Sequence, residues 1–337
     1  MDFLNVEKIP TEDEIGTIIK ERILNKFCNE YVLIGEDRTS LPVQYLRYAK
    51  QIKNFEVLND DIWITSFPKT GTTWAQEMIW MIINNLDFDG GKESLTKRFP
   101  FLEISGLFEH KKAFAALKLP IDKYSSVDLA ANQNSRPRFI KTHLPFSLLP
   151  DQIKNGTKTP KMIYVVRNPK DTCISLCHHG NLLQGWKIDV NNFAKLFMAE
   201  KSIYGSFWKH VLGFWKHRDS SNTLFIKYED MKADLPSIIG KVANFLEIQL
   251  TEEQIEILTK HLSFESMKKN NAVNWEDYVG LLRKNNFVYE ENGSFIRTGK
   301  VKQYKEELSP EIIEQFDAWI KKNIAGTTLE DEYIFNL

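Results

Sequence analysis

Thr65-Ser66-Phe67-Pro68-Lys69-Thr70-Gly71-Thr72-Thr73-Trp74 joins two segments of different hydrophobic period, and the fold follows from how that join is read. Upstream, Asp61-Ile62-Trp63-Ile64 begins a short buried strand. Downstream, Ala75 to Leu86 repeats its apolar residues at helical spacing, with Trp74, Met78, Met81 and Ile82 on one stripe. A strand, a loop and a helix start in that order present free backbone N–H groups and the positive end of a helix dipole. Lys69 adds a full positive charge, and Thr70, Thr72 and Thr73 add hydroxyls, so the expected guest is an anion. The corner is not the usual phosphate loop. That pattern runs Gly, four residues, then Gly-Lys-Ser/Thr, whereas here Lys69 precedes the only glycine by two.

Around this corner the chain has 337 residues, enough to bury a core, and a formal charge of −1, which with the lack of a basic arm argues against a nucleic-acid partner. Aromatics at 12 % suit either a large apolar cavity or an aromatic-rich core. The charged N-terminus, with Asp2, Glu7, Lys8, Glu12, Asp13 and Glu14, carries no signal-like apolar run, and no stretch would span a membrane, so no membrane partner is expected. Three cysteines, Cys28, Cys173 and Cys177, then point to a reducing cytoplasm.

No repeat, low-complexity run or Pro/Gly/Ser linker divides the chain, so residues 1–337 are expected to form a single domain. Residues 1–41 read as a peripheral lead-in with a weak helix from Glu12 to Phe27. A second helix is expected around Pro42 to Ile52. Residues 84–136 are long and irregular, with an apolar patch at Phe114 to Leu119, and read as a lid or pocket wall. Strands then follow at 138–142, 161–167 and 222–227. Helices are expected from Pro169 to about Gly180 and over 191–215, 235–246, 252–261 and 310–322. The alternation predicts an α/β fold: a central, mostly parallel sheet flanked by helices, with a P-loop-like corner and ligands beyond the carboxyl ends of the strands.

Two further polar sequences fall at such ends. In Lys141-Thr142-His143-Leu144-Pro145, period-two geometry puts Lys141 and His143 on one side, suiting a general base beside an anion; a purely structural histidine is the alternative. In Arg167-Asn168-Pro169-Lys170-Asp171-Thr172, Arg167 and Ser175 two helical turns on can reach one oxyanion, unless Arg167 simply pairs with Asp171. Cys173, Cys177, His178 and His179 on the same helix raise the question of a metal. No second ligand cluster stands at matching spacing, so no metal is expected and the thiols read as buried filler.

Taken together, these motifs resemble the cytosolic sulfotransferase family from about residue 42 to 325, and the chain is closest in character to its insect members. The resemblance implies 3′-phosphoadenosine 5′-phosphosulfate (PAPS) as donor and 3′-phosphoadenosine 5′-phosphate (PAP) as product. Lys69, Thr70, Gly71, Thr72 and Thr73 would then hold the 5′-phosphosulfate, Arg167 and Ser175 the 3′-phosphate, and Trp74, Tyr228 and Phe264 the adenine. His143 would act as general base, with Lys69 and Lys141 stabilising charge during in-line sulfonyl transfer. Phe67, Phe101, Ile104 and His179 would line the acceptor pocket, His179 standing where many phenol-transferring relatives carry phenylalanine. Arg297 and Gly299 match a further phosphate clasp, but Thr298, Lys302, Gln303 and Tyr304 depart from the signature. Ser309-Pro310 interrupts the family's dimer motif, so a homodimer by that route is not favoured. The implied acceptor is a small lipophilic alcohol, phenol, steroid or amine; dehydration of a retinoid alcohol through sulfation is a substrate-level alternative. A nucleotide kinase and a non-catalytic nucleotide- or lipophile-binding protein are the readings from other classes.

Overall fold

The structure, a computed structural model, describes residues 4–10, 12–120, 124–288 and 292–331. A three-stranded antiparallel sheet is formed by β1 (Val6–Lys8), β2 (Tyr31–Ile34) and β3 (Thr39–Pro42) in that order. The N-terminal segment is therefore not a peripheral lead-in. Both β2 and β3 are buried throughout, and Ile34 and Leu41 join the same core cluster as Trp63, Ile140 and Phe316. Four apolar residues in a row at Tyr31–Ile34 are too short a run for periodicity to mark as a strand.

The central sheet has four strands, β4 (Ile62–Ser66), β5 (Phe139–Thr142), β6 (Lys161–Val166) and β7 (Thr223–Lys227), in the order β5-β4-β6-β7 with every pair parallel. Thr65 pairs with Thr142, Ser66 with Val165, and Val166 with Lys227. These registers bring all four carboxyl ends to one edge. Side chains alternate between two cores: Trp63, Met162 and Tyr164 pack on one face, and Ile62, Ile64, Ile163 and Val165 on the other. Burial on both faces is what a parallel sheet requires. Helix α1 (Thr72–Ile83) covers the second face with Ala75, Met78, Ile79 and Ile82. Helix α2 (Pro169–Leu183) begins with Asn168 as its cap and proline in the first turn.

The helix expected over 191–215 is two helices, α3 (Val190–Met198) and α4 (Phe207–Trp215). Between them Glu200 and Tyr204 adopt positive φ, and the Ser206 hydroxyl accepts the Lys209 N–H to start α4. Apolar residues continue through the break at Ile203 and Tyr204, which masks it in the sequence. Residues 84–136 are also more divided than a lid. Phe99, Leu102 and Glu103 are fully buried, and the stretch pairs beside β5: Leu102 N–H donates to the Lys141 carbonyl, and Lys141 N–H to that of Pro100. Residues on both sides of Leu102 and Glu103 line the open space, among them the helix His110–Ala116. No helix among the described residues is long and apolar enough to cross a membrane.

Candidate active site

At the carboxyl edge of the sheet lies a cavity of about 1710 Å³. Its floor is the strand–loop–helix corner. Gly71 caps α1 with φ +107°, and a Cβ there would fall 2.7 Å from the Tyr228 ring, so only glycine fits. Lys69 also holds positive φ (70°), a left-handed backbone that disfavours a side chain by about 1–2 kcal/mol. Its side chain reaches the cavity, as do those of Thr72, Thr73 and Trp74. Thr70 and Phe67, expected at the site, do not line it. Thr70 is turned inward, its hydroxyl donating to the carbonyls of Phe67 and Val165 at 3.0 Å each, so it braces the loop. Phe67 is fully buried against Phe197, Phe207 and His210 and is a core residue rather than a pocket wall.

Lys141 and His143 share the cavity side of β5, while Thr142 points the other way and donates to Glu103 Oε2 at 2.8 Å. The His143 Nδ1 lies 2.8 Å from the Ser66 carbonyl oxygen. A carbonyl only accepts, so Nδ1 carries the proton and the Nε2 lone pair is left for a ligand. Burial, then Lys141, pushes the pKa of His143 well down, so the ring is neutral. Ser66 Oγ, 3.2 Å from the same Nδ1 and 2.7 Å from Thr72 Oγ1, ties the ring to the loop. Phe101 stands edge-on to the ring at 5.1 Å and also lies under the Lys141 ammonium.

Four cations surround this corner. Burial lowers the Lys69 pKa to about 7, and Lys141, Arg167 and Arg297 push in the same direction. Lys141 is lowered to about 8 by burial, with Glu103 opposing. Arg167 donates to the carbonyls of Lys69 (3.3 Å) and Lys300 (3.0 Å) and lies 3.9 Å from Asp171, yet its buried Nε has no partner. Mutual repulsion among desolvated cations, with an orphaned guanidinium N–H, is relieved by a polyanion. The Ser175 side chain faces the same space. Trp74 is fixed by Nε1–H donation to the Leu262 carbonyl at 2.9 Å and stands edge-on to Tyr228 at 5.7 Å. Phe264 packs so close to Gly299 that a Cβ there would come within 2.5 Å of its ring. An aromatic slot beside a cationic corner fits a nucleotide with two anionic ends.

Residues 59–328 match the sulfotransferase domain. The chain belongs to the cytosolic sulfotransferase family, and it is an enzyme of that class. It is 48 % identical over 334 residues to luciferin sulfotransferase of Photinus pyralis, covering 98 % of this chain and 90 % of that one. It is 32 % identical to amine sulfotransferase of Oryctolagus cuniculus over 81 % of this chain and 83 % of the relative. Retinol dehydratase, solved with androsterone and the inactive cofactor PAP, superposes with a TM-score of 0.85 at 31 % identity over 96 % of this chain and 97 % of its own.

Within this sulfotransferase the altered C-terminal signature still closes on the corner. Thr298 donates to Gln303 at 2.7 Å, and Asp171 accepts the backbone N–H groups of Lys302 (2.7 Å) and Tyr304 (3.1 Å), which together hold the loop. Arg297 faces the cavity but is also paired to Glu307 at 2.8 Å, which His178 meets at 2.6 Å. Ile104 and His179 also line the cavity. Cys173 and Cys177 are buried, and no group of three potential metal ligands occurs among the described residues.

Two supporting residues were not anticipated. Glu103, fully buried under β5, also accepts the His143 N–H (2.7 Å) and the Tyr204 hydroxyl (3.0 Å). Burial raises its pKa to about 7 against the pull of those bonds. A single carboxylate inside the apolar run Phe99–Ile104 was the available signal. For Tyr204 there was none, because it lies in the concealed break between α3 and α4.

Proposed function

We propose that the protein transfers the sulfonyl group of PAPS to a hydroxyl or amine of a small lipophilic acceptor. The observation that carries this is the neutral His143, its Nε2 lone pair open to a cavity beside four clustered cations. PAPS supplies the activated sulfonyl group, and the S–O bond to its 5′-phosphate breaks as the acceptor bonds to sulfur, with PAP as the leaving group. Arg167, Ser175 and Arg297 hold its 3′-phosphate, Trp74, Tyr228 and Phe264 its adenine, and Thr72, Thr73 and the loop N–H groups its 5′ end. His143 Nε2 takes the proton of the attacking hydroxyl, while Ser66 holds the ring in the required tautomer. Lys69 and Lys141 stabilise the negative charge that grows in the transition state, each by about 3 kcal/mol on the scale of single oxyanion-hole donors. Glu103 steadies the backbone and flank of β5 and favours the charged form of Lys141.

Phe101, Ile104 and His179 belong to the acceptor side, and the apolar arch of Phe114, Leu117 and Leu119 admits a lipophilic body. Similarity to luciferin sulfotransferase favours a luciferin-like aromatic acceptor, and similarity to retinol dehydratase keeps retinoid and steroid alcohols in the panel. The reaction is a cytoplasmic one in this proposal. The test is labelled sulfonate transfer from PAPS, without added metal, to luciferin, phenols, steroids, retinol and amines. Transfer to any of them supports the assignment. Tight PAP binding with no transfer would favour a carrier, and transfer from ATP with magnesium a kinase.

A further inference from the structure

Three imidazoles line the cavity, those of His110, His143 and His179, and the transfer step uses only His143. His179 lies on α2 four residues beyond Ser175, on the same face of the helix. Its Nδ1 is 3.5 Å from Lys69 Nζ; when Lys69 is protonated its ammonium has protons but no lone pair, so Nδ1 accepts and Nε2 bears the hydrogen in that state. Phe295 locks this arrangement: its ring is edge-on to His179 at 5.8 Å, and Lys69 Nζ sits 4.3 Å from the same ring centre. Burial, with Lys69 and Lys141 nearby, keeps His179 neutral. His143 and His179 are thus fixed in opposite tautomers, His143 offering a lone pair and His179 an N–H. No described residue pairs with His179 Nε2, and the half-buried ring lines the cavity and a small recess beside Ser294 and Phe295. The two nitrogens of an imidazole point in nearly opposite directions. With Nδ1 toward Lys69, the Nε2–H is therefore directed away from the Lys69 ammonium.

We infer that His179 Nε2–H is a selectivity contact for the acceptor, so that the enzyme prefers hydroxyl compounds bearing a second lone-pair atom, such as an aromatic ring nitrogen or carbonyl oxygen, over hydrocarbon-framed alcohols of equal shape. This rests on the assignment of the cavity to PAPS and an acceptor. A buried N–H that meets carbon instead of an acceptor atom loses its hydrogen bond to water, and sites of this kind discriminate strongly against the analogue lacking the atom.

The test compares hydroxyquinolines with naphthols of the same shape, read as KM and kcat with PAPS and as dissociation constants on PAP-loaded protein. Wild type is expected to favour the better-placed hydroxyquinoline by about tenfold in KM and dissociation constant. In His179→Phe the ratio should collapse toward one, and in His179→Gln, whose amide keeps an N–H near the Nε2 position, it should largely return. An unchanged ratio in His179→Phe overturns the inference. So does an equal loss of kcat on both series, which would put His179 on the transferring group. Absence of PAP binding and of transfer in wild type would instead defeat the sulfotransferase assignment itself.

Discussion

The two halves of the cavity are built by different means. The half proposed for the donor comes from strand ends and a helix start, and its groups are pinned by polar contacts: Thr70 to two carbonyls, Trp74 to Leu262, Arg167 to Lys69 and Lys300. The half proposed for the acceptor is lined by Phe27, Phe101, Ile104, Phe114, Trp275 and Phe287, which are far apart in the chain, with Phe27 and Phe287 in ring contact at 5.4 Å. Directional bonds hold a fixed ligand in one pose, whereas apolar walls set volume and shape. One half is therefore suited to a constant cosubstrate and the other to a variable acceptor.

Variants of the donor half should accordingly act alike on every acceptor. The largest effect is expected from His143→Ala, a fall in kcat of roughly 10²–10⁴ for all acceptors with PAP affinity nearly retained, measured by turnover and calorimetry. A loss confined to some acceptors would break the division. Lys69→Met should lower kcat by roughly 10²–10³, again regardless of acceptor; unchanged turnover would remove Lys69 from the chemistry.

Glu103→Gln sharpens the comparison from beneath the site. Thr142, His143 and Tyr204 all donate to this carboxylate, so an amide must set its own N–H₂ against one of them. A loss of about 1–3 kcal/mol in denaturant unfolding is expected, with a lower kcat. Stability unaltered by the substitution would mean that the three bonds contribute nothing.

The smallest effect is in pH. A polyanion binds best when Lys69 is protonated, and its pKa near 7 in the free enzyme means that the proton is lost above neutrality. PAP affinity should be full below pH 7 and fall above it, by up to about tenfold per pH unit, with Lys141 following near pH 8. Calorimetry in buffers of different ionisation enthalpy should find proton uptake on binding at pH 8, much reduced in Lys69→Met. No uptake in wild type would contradict the cluster.

How much was legible differs between the same two regions. Lys69, Lys141, His143, Arg167 and Ser175 stood out because each lies beside a strand end that period-two or helical spacing already marks. Even there, spacing could not say which way a loop residue turns: Thr70 and Phe67 sit in the quoted corner but point inward, since the tight turn at Lys69 and Gly71 reverses the direction of neighbouring side chains. Glu103 was concealed by its apolar surroundings, Tyr204 by a helix break that keeps the apolar pattern, and the N-terminal sheet by the shortness of its strands.

From its sequence alone, this protein's parallel sheet, its anion corner and its order of chemical motifs could be derived, because each depends on residues within a few positions of one another. The tertiary structure alone decided the protonated nitrogen of His143 and of His179, the carboxylate beneath β5, the cation cluster that lowers Lys69, and the walls of the acceptor half. Those properties arise from partners tens to hundreds of residues away, and neither a tautomer nor a cavity exists until the partners have met.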